Sequence, residues 1–362
     1  MTTWREDVLG AGFACTDLDL GTDAEGPVVA TLVRSLPEPG GWFDRLRRRS
    51  RPLAGVDVLY VHGWSDYFFQ RDLAAFWTER GARFFALDLR KYGRSLRPGQ
   101  TPGYIEDLAE YDREIDLAIG EIRDSASAPV NARRLILMGH STGGLVLSLF
   151  LSRRPGAADA LILNSPWLEF QLARAGRQLL APILDLTARL QPRDYAPQLD
   201  FGFYSRAQHA VAGAAGFDPV NQDWRPERAH GVRAGWMRAI LAGHAQVEKG
   251  LGLQRPVQVL LSARSAAPTR WSDELTRADS VLDVERVAGA ALKLGRTVTV
   301  DRIDGALHDV FLSAELSRRD AFYRLERWLT GWQAGLALVE PAAAEQLASP
   351  APALRVSPLE VS

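Results

Sequence analysis

Residues 134–145 read Arg134-Leu135-Ile136-Leu137-Met138-Gly139-His140-Ser141-Thr142-Gly143-Gly144-Leu145, and the fold follows from this stretch. Arg134 to Met138 is a short apolar run, the pattern of a strand covered on both faces. Leu145 to Leu151 is apolar almost all round, as a helix buried beneath a sheet must be. Between them Gly139-His140-Ser141-Thr142-Gly143 fits G-x-S-x-G. A strand-to-helix turn this tight holds its central residue in a strained backbone conformation, and the flanking glycines remove side chains that would clash. The Ser141 hydroxyl is thereby expected to stand above the carboxyl ends of the strands as a candidate nucleophile. Thr142 opens the following helix, where its backbone N–H faces a developing oxyanion with partial positive charge.

Working outward, the alternation of short apolar runs with helix-length segments recurs on both sides, which predicts a mostly parallel sheet with helices on both faces. Val56–Val61, Arg83–Leu89, Arg134–Met138, Ala160–Leu163 and Val257–Leu261 read as strands. Thr297–Ile303 alternates and so reads as a half-exposed edge. Phe13–Leu20 and Pro27–Arg34 suit an antiparallel pair, with Gly21, Asp23 and Gly26 as turn residues. Ile105, Leu108, Tyr111, Ile115, Ile119 and Ile122 recur at steps of three or four and mark an amphipathic helix.

The region from Trp167 to Leu251 breaks this rhythm and carries Phe170, Phe201, Phe203, Tyr204, Trp224 and Trp236. An insertion at the carboxyl end of a parallel sheet lies over the crevice where ligands bind. The expected organisation is a core of residues 1–166 and 252–338, an inserted helical cap at 167–251, and a disordered Ala/Pro-rich tail at 339–362.

A second oxyanion donor is expected from the loop after the strand Val56–Val61, where Gly63 permits a tight turn and presents the N–H of Trp64. Of the histidines, only His308 follows the last strand, so it is the candidate base, expected to take the proton of Ser141. His62 is expected to order its own loop. His140 belongs to the turn and is expected to point elsewhere. His209, His230 and His244 fall in the insertion as ordinary core or surface residues. The orienting carboxylate must lie between Ser141 and His308, among Asp273, Glu274, Asp279, Asp283 and Glu285. Asp279 is preferred, with Asp273 next; the alternative is that Asp279 or Asp283 merely caps the following helix.

The chain has 362 residues, 46% apolar and 24% charged, which suits a globular protein with a large core and excludes a mainly disordered chain. A net charge of -1 gives no electrostatic reason to expect nucleic acid as a partner. The one local exception is the basic run Arg45, Arg47, Arg48, Arg49 and Arg51, read as a solvated loop. Cys15 is the single cysteine, so no intrachain disulfide can form. Met1 to Asp7 lacks the pattern of a signal peptide, and no apolar stretch suggests an integral membrane segment, so a cytoplasmic location is expected.

Together these residues resemble the α/β-hydrolase superfamily, within it the serine aminopeptidase and monoacylglycerol lipase (lysophospholipase-like) group. The resemblance runs from about Val56 to Leu329 and rests on His62-Gly63, Asp88-Leu89-Arg90 with Gly93-Arg94-Ser95, Gly139 to Gly143, Asp279-Ser280-Val281 and His308. The chain departs from the group at Lys91-Tyr92-Gly93, where Gly-His-Gly is usual, and in a longer stretch before Asp279. The resemblance implies an α/β-hydrolase fold with an inserted cap and a serine esterase acting on a small-molecule ester, with no metal or organic cofactor. Peptidase, thioesterase and acyltransferase chemistry use the same triad, and a non-catalytic binding protein could keep the same fold.

Overall fold

A computed structural model describes residues 3–38, 51–126, 133–170, 190–196, 200–212 and 220–348. Arg45, Arg47, Arg48 and Arg49 of the basic run lie outside the described residues, as does much of the stretch expected to form a cap.

The apolar runs form the strands that the patterning predicts. β4 (Val56–Val61), β5 (Arg83–Asp88), β6 (Arg134–His140), β7 (Ala160–Asn164) and β8 (Val257–Ser262) are buried almost throughout, because helices cover both faces. β9 (Val298–Ile303) is only partly buried and is the sheet's outer parallel strand. At the other edge stand β1 (Arg5–Glu6), a strand the patterning did not reveal, and the antiparallel pair β2 (Phe13–Asp23) and β3 (Gly26–Ser35). The order is β1-β2-β3-β5-β4-β6-β7-β8-β9, parallel from β5 onward.

Three helices fill the early crossovers: α1 (Arg71–Glu79), α2 (Tyr111–Asp124) and α3 (Thr142–Arg153). The amphipathic stripe of α2 buries Ile115, Ile119 and Ile122, and a short 3-10 turn over Leu108–Glu110 precedes it. α3 is buried from Thr142 to Leu151, as its unbroken apolar sequence requires. The long connection between β7 and β8 holds α4 (Phe203–Ala212) and α5 (Ala234–Lys249), and α6 (Val284–Ala291) lies between β8 and β9.

The last helix, α7, spans Glu315–Ala348 and so continues into the stretch expected to be a disordered tail. Alanines 342 to 344 followed by Glu, Gln and Leu are strong helix formers, although Pro341 in the same span is not. Residues 349–362 lie outside the described residues. Contacts divide the chain into residues 1–321 and 322–362, and within the second unit Trp328 stacks on Trp332 at 6.4 Å. Among the described residues, no helix is long and apolar enough to cross a membrane.

Buried ion pairs tie the amino-terminal strands to the sheet. Arg94 donates to both oxygens of Asp7 (2.6 and 2.8 Å) and to Asp88 at the end of β5 (2.8 Å). Burial alone would raise the Asp7 carboxyl, but Arg94 outweighs it and holds the group below its ordinary value. The departure at Lys91 also has a structural reason: its ammonium pairs with Asp23 and Glu25 in the β2–β3 turn. Arg94→Met would leave the Asp7 and Asp88 carboxylates buried without a counter-charge. It should cost about 3–5 kcal/mol, read as a lowered urea midpoint with an unchanged slope.

Candidate active site

Ser141 sits between the last residue of β6 and the first of α3, at φ 50° and ψ -118°. Side chains rarely tolerate this backbone, so the surroundings must hold it. The Ser141 N–H donates to the Asn164 carbonyl (3.1 Å), and its own carbonyl accepts from Gly144 (3.0 Å) and Trp167 (2.9 Å). The glycines fit for steric reasons. A Cβ on Gly143 would meet the carbonyl oxygens of His62 and Val61, and one on Gly139 would lie 2.7 Å from the Gly143 carbonyl oxygen. Thr142 begins α3, and its N–H therefore precedes the helical hydrogen-bond ladder.

The loop after β4 comes close to the serine: a Cβ on Gly63 would stand 3.1 Å from Ser141 Cβ. His62 orders this loop, as expected. Its Nε2 accepts from the Leu89 N–H (3.1 Å), so its Nδ1 donates to the Gly63 carbonyl (2.7 Å). Trp64 is held by an indole N–H donated to the His230 carbonyl (3.2 Å) and by Trp236, whose ring centroid is 4.0 Å away.

His308 lies beneath the cavity with Nδ1 2.9 Å from Asp279 Oδ2, and both residues are buried. The other carboxylate oxygen of Asp279 accepts the backbone N–H groups of Val281 (2.7 Å) and Leu282 (2.8 Å). A carboxylate only accepts, so the shared proton is the imidazole's on Nδ1, and in the neutral ring Nε2 is then the atom that carries the lone pair. That Nε2 is buried with no hydrogen-bond partner among the described residues. The competing carboxylates go elsewhere: Asp273 is exposed at the start of a 3-10 turn, and Asp283 caps α6 through Glu285 and Arg286.

One cavity of about 630 Å³ is lined by Ser141, Trp64 and His308 together with Trp167, Phe170 and Tyr204 from the β7–β8 connection. Phe201, Phe203 and Trp236 also reach it, whereas Trp224 packs on Tyr67 at 5.2 Å. His140 does not point away from the site. Its ring centroid is 4.9 Å from that of His308, because its Nδ1 is bonded to the Asn164 carbonyl (3.0 Å) on the neighbouring strand. Burial keeps the His140 imidazole below the ordinary histidine value, which favours a neutral neighbour for His308. Among the described residues, no cluster of His, Cys, Asp and Glu could hold a metal ion.

Sequence reading did not find Asn164 and Asp309. Asn164 Nδ2 donates to Asp309 Oδ1 (2.7 Å), and Asn164 Oδ1 accepts from the Val310 N–H (3.2 Å). The one signal for Asp309 is its place directly after His308; Asn164 carries no signal beyond standing at a strand end.

Gly143→Ala should displace the β4 loop and lower stability by about 1–3 kcal/mol as an overpacked site. Gly120→Ala in α2, where a Cβ meets nothing within 4 Å, should instead be neutral or stabilising. Thermal unfolding of the two variants side by side reads the difference.

The profile of the family described as "Serine aminopeptidase, S33" matches residues 56–313. A monoacylglycerol lipase of Mycolicibacterium smegmatis is 27% identical over 266 residues, covering 72% of this chain and 83% of that protein. Two lipases are among the solved structures that share the fold. A soluble variant of a Saccharomyces cerevisiae monoglyceride lipase, solved with a substrate analog, has a TM-score of 0.56 at 14% identity, over 87% of this chain and 96% of that one. The monoacylglycerol lipase of Paleococcus ferrophilus has 0.55 at 15% identity, over 83% and 99%. With its mostly parallel nine-stranded sheet and this match from β4 through His308, the chain belongs to the serine aminopeptidase S33 family of α/β-hydrolases.

Proposed function

We propose that this chain is a serine hydrolase that cleaves carboxylic esters with an apolar acyl or alkyl part through an acyl-enzyme. The observation that carries this reading is the Asp279–His308 bond, which leaves a bare Nε2 beside the cavity that Ser141 lines. Ser141 Oγ attacks the ester carbonyl and passes its proton to His308 Nε2. The N–H groups of Trp64 and Thr142 hold the resulting oxyanion. Collapse breaks the bond to the alcohol oxygen, which leaves with the proton from His308. Water then enters by the reverse route, releasing the acid and freeing Ser141.

Asp279 holds the imidazole with Nδ1 protonated, and its two backbone donors keep the carboxylate in one orientation. The β7–β8 connection, residues 167–251 by the sequence reading, acts as a cap whose aromatic side chains form the apolar wall. That wall and the similarity to monoacylglycerol lipases favour an ester with a hydrocarbon part over a peptide.

Ser141→Ala should abolish both p-nitrophenyl ester hydrolysis and labelling by a fluorophosphonate; full activity in this variant would sink the mechanism. Asp279→Asn should lower kcat by roughly 10,000-fold, the loss seen when the orienting carboxylate of such a triad is neutralised. Asp273→Asn should leave kcat unchanged, and steady-state kinetics on the pair decides which carboxylate orients His308.

A further inference from the structure

A continuous run of polar contacts crosses the β7–β8 connection and joins the loop after Trp64 to the loop that carries His308. It starts at Asp66, two residues past Trp64, whose carboxylate pairs with Arg225 Nε at 2.7 Å. A terminal nitrogen of the same guanidinium donates to Gln208 Oε1 (2.7 Å), and Gln208 Nε2 donates to the Tyr204 hydroxyl oxygen (2.8 Å). That oxygen also accepts the backbone N–H of Asp309 (3.0 Å), the residue directly after His308. The Asp309 carboxylate is held in turn by Gln70 Nε2 (2.5 Å) and Asn164 Nδ2 (2.7 Å). Asn164 closes the circuit, since its carbonyl takes the Ser141 N–H.

Stability alone gives little reason for this arrangement. The guanidinium of Arg225 and the carboxylate of Asp66 are 15% and 10% exposed, and a buried pair of this kind is often no more stabilising than apolar groups of the same size. What such a network supplies is a single arrangement of the groups it connects. Its ends fall on the residue after the candidate base and on the loop of the candidate oxyanion donor. The Tyr204 ring also meets the His308 ring edge-on, with centroids 5.6 Å apart. Burial and the nearby Asp309 raise the Tyr204 phenol well above its ordinary value, so it stays a neutral hydroxyl.

We infer that Tyr204 and Arg225 are positioning residues that set the His308 loop and the Trp64 loop from the inserted segment, acting through Asp309 and Asp66. The inserted segment is then part of the catalytic framework as well as a wall of the cavity. The inference rests on the reading of Ser141, His308 and Asp279 given above.

The test compares Tyr204→Phe, Arg225→Lys and the double variant by p-nitrophenyl ester kinetics, by rate of fluorophosphonate labelling and by thermal unfolding. Arg225→Lys keeps the charge beside Asp66 but cannot bridge to Gln208 with the same planar fork. Tyr204→Phe should lower kcat and the labelling rate about tenfold, equivalent to about 1.4 kcal/mol, with KM within about twofold and a melting temperature lower by only about a few degrees, the cost of two buried donors left without their acceptor. Because the two residues act along one chain, the double variant should be little slower than the slower single variant. Tyr195→Phe, an exposed tyrosine of the same segment, should be silent. A labelled wild type whose Tyr204→Phe variant reacts at the same rate overturns this inference alone, and so do single effects that multiply in the double variant. A wild type that resists the fluorophosphonate overturns the reading of Ser141, and this inference with it.

Discussion

Ser141 occupies a backbone conformation that an L-residue does not hold unaided, and much of the surrounding structure is arranged to hold it. Asn164 at the end of β7 takes its N–H, while Gly144 and Trp167 donate to its carbonyl. The close approach of Gly143 to the His62 and Val61 carbonyls allows no side chain there. The turn therefore depends on three strands being in register at their carboxyl ends. It also fixes where the β4 loop can run, because Gly63 lies against the serine itself.

The buried charges follow the same logic of placement. Arg94 holds Asp7 and Asp88 together and so connects the amino-terminal segment to the loop after β5. Around the cavity the polar groups are spent on orientation: Asp279 takes two backbone N–H groups and one imidazole, and Asp309 takes side chains from two separate parts of the chain. A carboxylate with its lone pairs engaged this way cannot rotate without losing several bonds at once. His308 sits between these two carboxylates on a short segment that is further pinned by the Ser313 hydroxyl, which accepts the Leu307 N–H.

The insertion between β7 and β8 contributes both apolar and polar side chains to the cavity wall. Its aromatics line the cavity, and its Arg225, Gln208 and Tyr204 run between the loop of Asp66 and the loop of His308. Moving α4 would break the hydrogen bond between the Tyr204 hydroxyl and the Asp309 N–H, next to His308.

The sheet was legible because a strand buried on both faces leaves an unmistakable run of apolar residues. β4 coincides with its predicted span, and β9 betrays its edge position by alternation. β1 was missed because two residues carry no pattern. At the site, Ser141 was legible from a local backbone requirement, namely glycines flanking a strand-to-helix turn. His308 was legible from chain order. The choice among Asp273, Asp279 and Asp283 was not, since all three stand in one acidic interval and differ only in what lies across space from them. Asp279 pairs its backbone with the loop after β8 and so faces His308, while Asp283 is occupied in capping a helix. The sequence by itself determined the sheet, the serine turn and the histidine, because each rests on a local or periodic rule. Only the tertiary structure decided which carboxylate bonds to His308, the inward place of His140 and the network through Tyr204, because those depend on contacts between residues far apart in the chain.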